Sequence, residues 1–175
     1  TRRQRQMCIR DRTHVSTMSS GDFRNNEKSF TSKKHELLNI YFYDENNKKT
    51  ILKENITVHK GTIIDTSFLS IRELYKFFEK QLKNCVDKKI LLSLHLKASM
   101  MKVSDPIIFG HMLKVYFKDF ILNNKKILSD LNVNFNSGLS ILYEKLESLE
   151  KDEKNRITKE LENVFLSSAE IAMVD

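Results

Sequence analysis

The stretch LLSLHLKASMMKVSDPIIFGH, Leu91 to His111, joins an apolar run to a polar segment and then to a second apolar pattern. The run Ile90–Leu96 predicts a buried strand, because it is short, apolar and followed by polar residues. Lys97 comes next, although burying an ammonium group is unfavourable unless a partner or a substrate compensates its charge. A helix is expected from Asp105, which can cap it, with Pro106 at the first helical position.

The residues before this stretch carry strand signals and then one helical signal. Leu37–Tyr43 and Thr50–Lys53 flank an Asn-rich turn, which predicts an antiparallel hairpin. From Ser70 onwards apolar residues recur at helical spacing, and Ser70 with Glu73 matches a capping box. Shorter extended segments are expected at 56–58 and 62–64.

The residues after Asp105 predict helices almost throughout. The buried stripe of the first of these helices is expected to contain Phe109, Leu113, Tyr116, Phe117 and Phe120. A second face, with His111, Lys114 and Lys118, is expected to be solvated. The final run, Glu170–Asp175, indicates a strand that needs a partner from outside this sequence. Strands that precede and interleave with helices predict an α/β fold, with a β-rich first half and a helix-rich second half.

Composition favours a globular protein and gives little support to nucleic-acid binding. The 175 residues are 40% hydrophobic and 30% charged, with a net charge of +7. Five arginines and one aspartate lie in residues 1–12, so the remainder has 25 basic and 22 acidic residues, a net charge of +3. No apolar run approaches the roughly 20 residues that a membrane-spanning helix needs. Neither a nucleic-acid partner nor a membrane is therefore expected.

Residues 1–12, TRRQRQMCIRDR, are rich in arginine, whereas lysine dominates the rest of the chain. The string QRQMCIRD resembles the translated read-through of a sequencing adapter; a disordered basic arm and a transit peptide are the alternatives. We expect residues 1–12 to be a foreign or disordered tail and residues 13–175 to form an incomplete α/β domain. Cys8 lies in the tail, so Cys85 has no partner for an internal disulfide. A reducing cytoplasm and a structural role for Cys85 are therefore expected.

A candidate ligand site lies between the predicted strand and the predicted helix. Ligands of α/β proteins bind beyond the carboxyl ends of strands, and helix N-termini favour anions there. The residues of this segment that suit an anion are Lys97, Ser99, Lys102 and Ser104. A lysine at a strand end can hold a carboxylate or exchange a proton with an oxygen, but it can equally extend its head group into water as a structural residue. The polar segment His14–Phe23 fits either a turn beside a ligand or an ordinary turn.

Four pieces of the sequence stand out by their order: THVSTMSSGDFRNNEKS, LLSLHLKASMMKVSDPIIFGHMLKVYF, the turn Asn136–Leu139 and the closing AMVD. Together they resemble successive parts of the monomeric type of NADP-dependent isocitrate dehydrogenase, over residues 13–175. The resemblance implies part of the larger α/β domain of that enzyme. It also implies oxidative decarboxylation of isocitrate to 2-oxoglutarate and CO2, with NADP as hydride acceptor and Mg or Mn as Lewis acid.

The resemblance assigns one catalytic residue to this sequence. The family's catalytic lysine stands in the same HLK context, which carries the role over to Lys97. Its task would be proton exchange at, or hydrogen bonding to, the C2 oxygen of the substrate. No cofactor-binding or metal-binding residue is assigned, because the family's substrate-binding serine and arginine precede Thr13 and its metal aspartates and NADP-binding residues follow Asp175.

The family's chain is several times longer, so this chain is expected to be inactive by itself. The full-length enzyme is expected to be a monomer in the cytoplasm. The alternative is a basic module that binds nucleic acid, with an affinity that falls steeply with salt and survives deletion of residues 1–12. A non-catalytic interaction domain is the third hypothesis.

Overall fold

A computed structural model describes residues 13–96 and 102–173, which form two compact units. Residues 19–70 make up the first, which we call the strand unit. Residues 13–18 and 71–173 belong to the second, which we call the helical unit. The expected α/β class, with strands in the first half and helices in the second, is confirmed. The expected foreign tail, residues 1–12, lies outside the described residues, and so does Asp175.

The strand unit contains two antiparallel strand pairs. They are β1 (Lys28–Thr31) with β4 (Ile63–Thr66), and β2 (Glu36–Tyr43) with β3 (Lys49–Val58). The predicted hairpin is confirmed as the pair of β2 and β3, and the predicted extended segment 56–58 is the end of β3. The second predicted segment, 62–64, overlaps the start of β4.

The hairpin loop is organised by the side chain of Asp44. Its Oδ1 accepts hydrogen bonds from the backbone N–H groups of Asn46 at 2.9 Å and Lys48 at 2.8 Å. Asn47 has a φ of 58°, a left-handed conformation that asparagine tolerates better than most residues with a side chain. The Asn-rich turn therefore sets the register in which Tyr43 faces Lys49.

The helical unit runs from one long helix to a short final strand. Its elements are α1 (Ile71–Lys88), β5 (Leu92–Leu94), α2 (Ser104–Tyr116), α3 (Lys118–Asn123), α4 (Lys125–Asp130), a 3-10 turn (Phe135–Ser137), α5 (Ser140–Leu146), α6 (Lys151–Ser167) and β6 (Ile171–Met173). The helix predicted behind Ser70 is α1, and its buried residues are Leu74, Phe78 and Cys85. No helix in the described part of the chain is long and apolar enough to cross a membrane.

The end of α1 turns the chain towards β5. The N–H of Lys89 donates to the carbonyl of Val86 at 3.2 Å, and the N–H of Ile90 donates to the carbonyl of Cys85 at 3.0 Å. This pair of bonds is the Schellman arrangement, which needs a left-handed residue just after the helix. Lys89 occupies that position with a φ of 51°.

The strand that follows is shorter and less buried than the sequence predicts. β5 covers only Leu92–Leu94, and its leucines are half-buried, while Leu91 is exposed. β5 has a single partner among the described strands, and burial alternates along it: Ser93 is exposed between two half-buried leucines, so only one face of the strand packs on the core. Leu94 and Leu96 make that contact.

That single partner is β6, and it corrects a second expectation. β5 and β6 pair in parallel, with Leu92 opposite Ile171 and Leu94 opposite Met173. The final strand was expected to need a partner from outside the sequence, but its partner is β5. The hydroxyl of Tyr116 donates to the carbonyl of Ala169 at 2.9 Å in a buried position, which fixes α2 to the start of β6.

The core of the helical unit forms around α2. The predicted stripe is confirmed, because all five of its members are buried: Phe109, Leu113, Tyr116, Phe117 and Phe120. Leu142 from α5 and Ile157 and Leu161 from α6 join the same cluster. Burial of these side chains, each of which contributes about 1.5–3 kcal/mol, holds the helices together.

Candidate functional site

The candidate site lies where β5 ends and α2 begins. Lys97 and Ser99 lie outside the described residues. The residues on both sides are described: β5 ends at Leu94, and α2 begins at Ser104. Because β5 and β6 are parallel, their carboxyl ends lie at the same edge of the pair. The predicted order of strand end, lysine-bearing segment and helix start is therefore confirmed for the residues that flank Lys97.

The start of α2 differs from the prediction in its cap. The N-cap residue is Val103, whose backbone is already helical, and no side chain caps the helix. Asp105, expected as the cap, is the second residue of the helix, and it is buried. Its Oδ1 accepts a hydrogen bond from the hydroxyl of Ser104 at 3.3 Å. A carboxylate in the first turn still complements the helix dipole, and Pro106, in the same turn, removes an N–H that has no partner within the helix.

Of the predicted anion-binding residues that are described, neither is enclosed. Lys102 is exposed in the turn before α2, and Ser104 is half-buried at the first position of the helix. On the strand side, the Oγ of Ser93 and the Nε2 of His95 form a hydrogen bond of 2.7 Å on the exposed surface. The described side chains at this edge are therefore polar, and those of Ser93, His95 and Lys102 are exposed.

A pair of side chains, the half-buried Tyr75 and the buried His111, joins α1 to α2. The hydroxyl of Tyr75 and the Nδ1 of His111 form a hydrogen bond of 2.9 Å, and the two rings meet edge to face. Burial lowers the pKa of His111, and the charge of Lys114 lowers it further. Burial also raises the pKa of Tyr75. The imidazole is therefore held in its neutral form over a wider pH range than a histidine in water.

The prediction of a solvated face is wrong for His111 on α2 and correct for Lys114 on α2 and Lys118 at the start of α3. Both lysines are exposed, and Lys118 forms a surface ion pair with Glu79 at 3.3 Å. His111 is buried because α2 packs against other elements on most of its circumference, so its position three residues before Lys114 does not mark a solvent face.

The backbone of α2 closely approaches the 3-10 turn at Gly110. A Cβ at Gly110 would stand 2.0 Å from the Oδ1 of Asn136 and 2.9 Å from its backbone nitrogen. The turn itself is held by Asn134, whose side chain accepts a hydrogen bond from the N–H of Asn136 at 3.0 Å. Gly138 ends it with a φ of 88°. Parts of two of the four pieces that carried the resemblance, the DPIIFGH stretch of the longest piece and the Asn136–Leu139 turn, are therefore packed against each other.

The polar segment His14–Phe23 behaves as two separate local structures. In the helical unit the hydroxyl of Ser16 donates to the Oε1 of Gln81 at 2.8 Å. In the strand unit the Oδ1 of Asp22 accepts a hydrogen bond from the N–H of Asn25 at 3.2 Å, and Gly21 has a φ of 75°. The second arrangement is an ordinary turn, which is one of the two alternatives that the sequence left open for this segment.

The described residues do not supply the metal site that the resemblance implies. Mg and Mn prefer several carboxylate and carbonyl oxygens around one point. Among residues 13–96 and 102–173 no group of three or more His, Cys, Asp or Glu side chains could hold a metal ion. Asp105 at the site has its carboxylate bonded to Ser104. A metal ion at this edge would therefore need ligands from outside these two ranges.

Comparison with known proteins identifies one family over almost the whole length of the chain. The family model described as monomeric isocitrate dehydrogenase matches residues 2–175. The relative from Mycobacterium tuberculosis named isocitrate dehydrogenase [NADP] 2 is 38% identical over 94% of this chain and 22% of its own length. The relative of the same name from Colwellia maris is also 38% identical over the same shares. The isocitrate dehydrogenase [NADP] of Azotobacter vinelandii is 31% identical, again over 94% of this chain.

The α/β fold and these matches define a chain of the isocitrate dehydrogenase class. It spans about 22% of the length of the curated relatives it matches. Within that class, the chain belongs to the monomeric isocitrate dehydrogenase family.

Sequence reasoning missed two features of the site, the Tyr75–His111 pair and the approach of Gly110 to Asn136. Both involve residues that are far apart in the sequence, so periodicity carries no information about them. The signal for the second was available in part, since a glycine in the middle of an apolar helix is unfavourable unless close packing requires it.

Proposed function

We propose that this chain is part of an enzyme that catalyses NADP-dependent oxidative decarboxylation of isocitrate to 2-oxoglutarate and CO2. The main support is the 38% identity to relatives named isocitrate dehydrogenase [NADP] over 94% of the chain. We propose further that residues 13–175 belong to the larger domain of that enzyme and that residues 1–12 take no part in it. The full-length enzyme is expected to be a cytoplasmic monomer that binds neither nucleic acid nor membrane.

Lys97 is the residue of this chain to which we assign a catalytic role. In the reaction the C2 hydroxyl of isocitrate gives up its proton to a base as a hydride leaves C2 for NADP. The β-carboxyl group then leaves as CO2, and the resulting enolate takes up a proton at C3. The Lys97 side chain would donate a hydrogen bond to the C2 oxygen or exchange a proton with it. Its support is the HLK context and the described neighbours, since the strand before it ends at Leu94 and α2 begins at Ser104.

The metal and the cofactor are assigned to other parts of the full-length protein. A divalent Mg or Mn ion supplies Lewis-acid polarisation of the C2 oxygen when it is bound. What this chain supplies is a positively charged group at a polar edge, to which the carboxylates of isocitrate are attracted. Alone, the chain is expected to form no NADPH from isocitrate.

The proposal is tested on the full-length enzyme from the same gene. Lys97→Met should lower kcat about 100-fold or more, because a positioned proton donor contributes about 10²–10⁴-fold to rate. Lys114→Met is the matched control, since Lys114 is an exposed lysine of α2, and its kcat should stay within about twofold of the wild type. Near wild-type turnover in Lys97→Met, with unchanged circular dichroism, would remove the assignment of Lys97. Absence of NADPH formation by the wild-type enzyme would remove the proposed activity itself.

A further inference from the structure

Two histidines face each other at the open end of the hairpin in the strand unit. Glu36 pairs with Val58 in the register of β2 and β3, so His35 and His59 stand opposite each other one position further on. Their Nδ1 atoms are 3.0 Å apart, and the rings meet edge to face at an angle of 82°. Neither residue belongs to the candidate site.

The backbone around the pair is held on both sides. Ser32, before His35, donates its N–H to the carbonyl of Thr62 at 2.9 Å, and its own carbonyl accepts the N–H of Gly61 at 2.8 Å. The N–H of Thr62 in turn donates to the carbonyl of His59 at 3.0 Å. Gly61 has a φ of 89°, which lets the chain turn tightly after His59. The two histidines are therefore brought together by backbone hydrogen bonds and not by their own side chains alone.

The distance between the two Nδ1 atoms suits a shared metal ion. Metal–nitrogen bonds of about 2.0–2.1 Å place neighbouring ligand atoms about 2.8 Å apart in square-planar geometry and about 3.3 Å apart in tetrahedral geometry. The observed 3.0 Å lies between these two values. Two nitrogens this close need a proton or a cation between them, because their lone pairs otherwise repel.

The surroundings select the kind of ion. Lys34 directly precedes His35, and Lys60 directly follows His59. The two positive charges repel cations, so an ion that is attracted only by charge is not expected to bind here, whereas an ion that coordinates directly to nitrogen can. Glu36, the neighbouring carboxylate, has its Oε1 in a hydrogen bond with the hydroxyl of Ser32 at 2.7 Å. Imidazole nitrogens bind Cu²⁺, Ni²⁺ and Zn²⁺ well, whereas Mg²⁺ and Ca²⁺ prefer oxygen ligands.

We propose that His35 and His59 form a two-histidine binding site for a divalent transition metal ion, with Cu²⁺, Ni²⁺ or Zn²⁺ as the fitting ions. Each residue contributes its Nδ1, and water fills the remaining positions, since both side chains are exposed. No third His, Cys, Asp or Glu ligand joins them among the described residues. A bound ion links the residue before β2 to the residue after β3 and so closes the open end of the hairpin.

The test is Cu²⁺ titration of the full chain, followed by electron paramagnetic resonance. The wild type should bind one ion with a spectrum that shows two nitrogen ligands, and a large excess of Mg²⁺ should not displace it. His35→Asn and His59→Asn should each weaken this binding at least tenfold. His95→Asn is the matched control, since His95 is an exposed histidine outside the pair, and it should bind as the wild type does.

A second readout separates the site from binding to scattered histidines. Zn²⁺ should raise the thermal unfolding temperature of the wild type and of His95→Asn, but not that of His35→Asn or His59→Asn, because only a two-residue chelate favours the folded chain. Wild-type affinity in His59→Asn, or an equal loss in His95→Asn, would overturn the proposal. So would a spectrum with a single nitrogen ligand in the wild type.

Discussion

Gly110→Ala adds one methyl group at the point where α2 meets the 3-10 turn. The new Cβ would stand 2.0 Å from the Oδ1 of Asn136, 2.9 Å from its backbone nitrogen and 3.0 Å from its Cα. The Oδ1 contact is relieved when the Asn136 side chain rotates. The backbone contacts are not, and because ordinary contact begins at 3.4 Å, the nitrogen of Asn136 has to withdraw by at least 0.5 Å, the difference between 3.4 and 2.9 Å.

Two opposing effects set the size of the change in stability. Overpacking of this kind destabilises by about 1–3 kcal/mol. Alanine is a better helix former than glycine by about 1 kcal/mol within a helix, which offsets part of that loss. The expected result is a decrease of up to about 2 kcal/mol in the free energy of unfolding, or up to about 8 °C in Tm for a chain of this size.

The assay is urea unfolding of the wild type, Gly110→Ala, Asn136→Ala and the double variant, monitored by circular dichroism. The cycle should show coupling of about 0.5 kcal/mol or more, since Asn136→Ala removes the Oδ1 contact but leaves the backbone contacts in place. The double variant should therefore recover only part of the loss. A Gly110→Ala chain that is more stable than the wild type by the helix-propensity gain alone would refute the close approach of α2 to the turn.

Two further outcomes follow from single residues of the helical unit. Burial lowers the pKa of His111 in the folded chain, so as the pH falls the unfolded chain binds a proton at this histidine before the folded chain does. The free energy of unfolding is therefore unaffected by His111 above its ordinary pKa of 6.5 and decreases as the pH falls from there to the folded pKa. Between about pH 7 and about pH 5, the free energy of unfolding in urea should change less with pH in His111→Gln than in the wild type. An equal change in the two proteins would show that His111 is not the source of the pH dependence. Lys89→Gly should raise the free energy of unfolding by about 1 kcal/mol, because Lys89 has a φ of 51° that glycine adopts without strain; a loss of stability would show that the Schellman bonds depend on the lysine.

The sequence predicted the elements of this fold more reliably than their surroundings. The stripe from Phe109 to Phe120 was correct because helical periodicity is a local property that the chain carries in its own order. The cap of α2 was wrong because Val103 is already helical, which no residue type at Asp105 reveals. The burial of His111 and the shortness of β5 depend on what packs against them, so neither can be read from spacing.

The candidate site was predicted by a different route. Periodicity placed a lysine-bearing segment between a strand and a helix, and the flanking residues confirm that order. The catalytic role of Lys97 came from the resemblance and stays a prediction. The pairing of β5 with β6 could not be foreseen, since a parallel partner can lie at any distance along the chain.

The parallel pair also has a kinetic consequence. Leu92 pairs with Ile171, which lies 79 positions later in the sequence, so β5 cannot pair with β6 until that part of the chain is available. Contacts of such high sequence separation slow folding, because a long stretch of chain must be ordered before they form. On the ribosome, α1 and α2 emerge well before the residues of β6. Until then the edge of β5 that pairs with β6 has unpaired backbone N–H and C=O groups, and unpaired strand edges of this kind favour aggregation during folding.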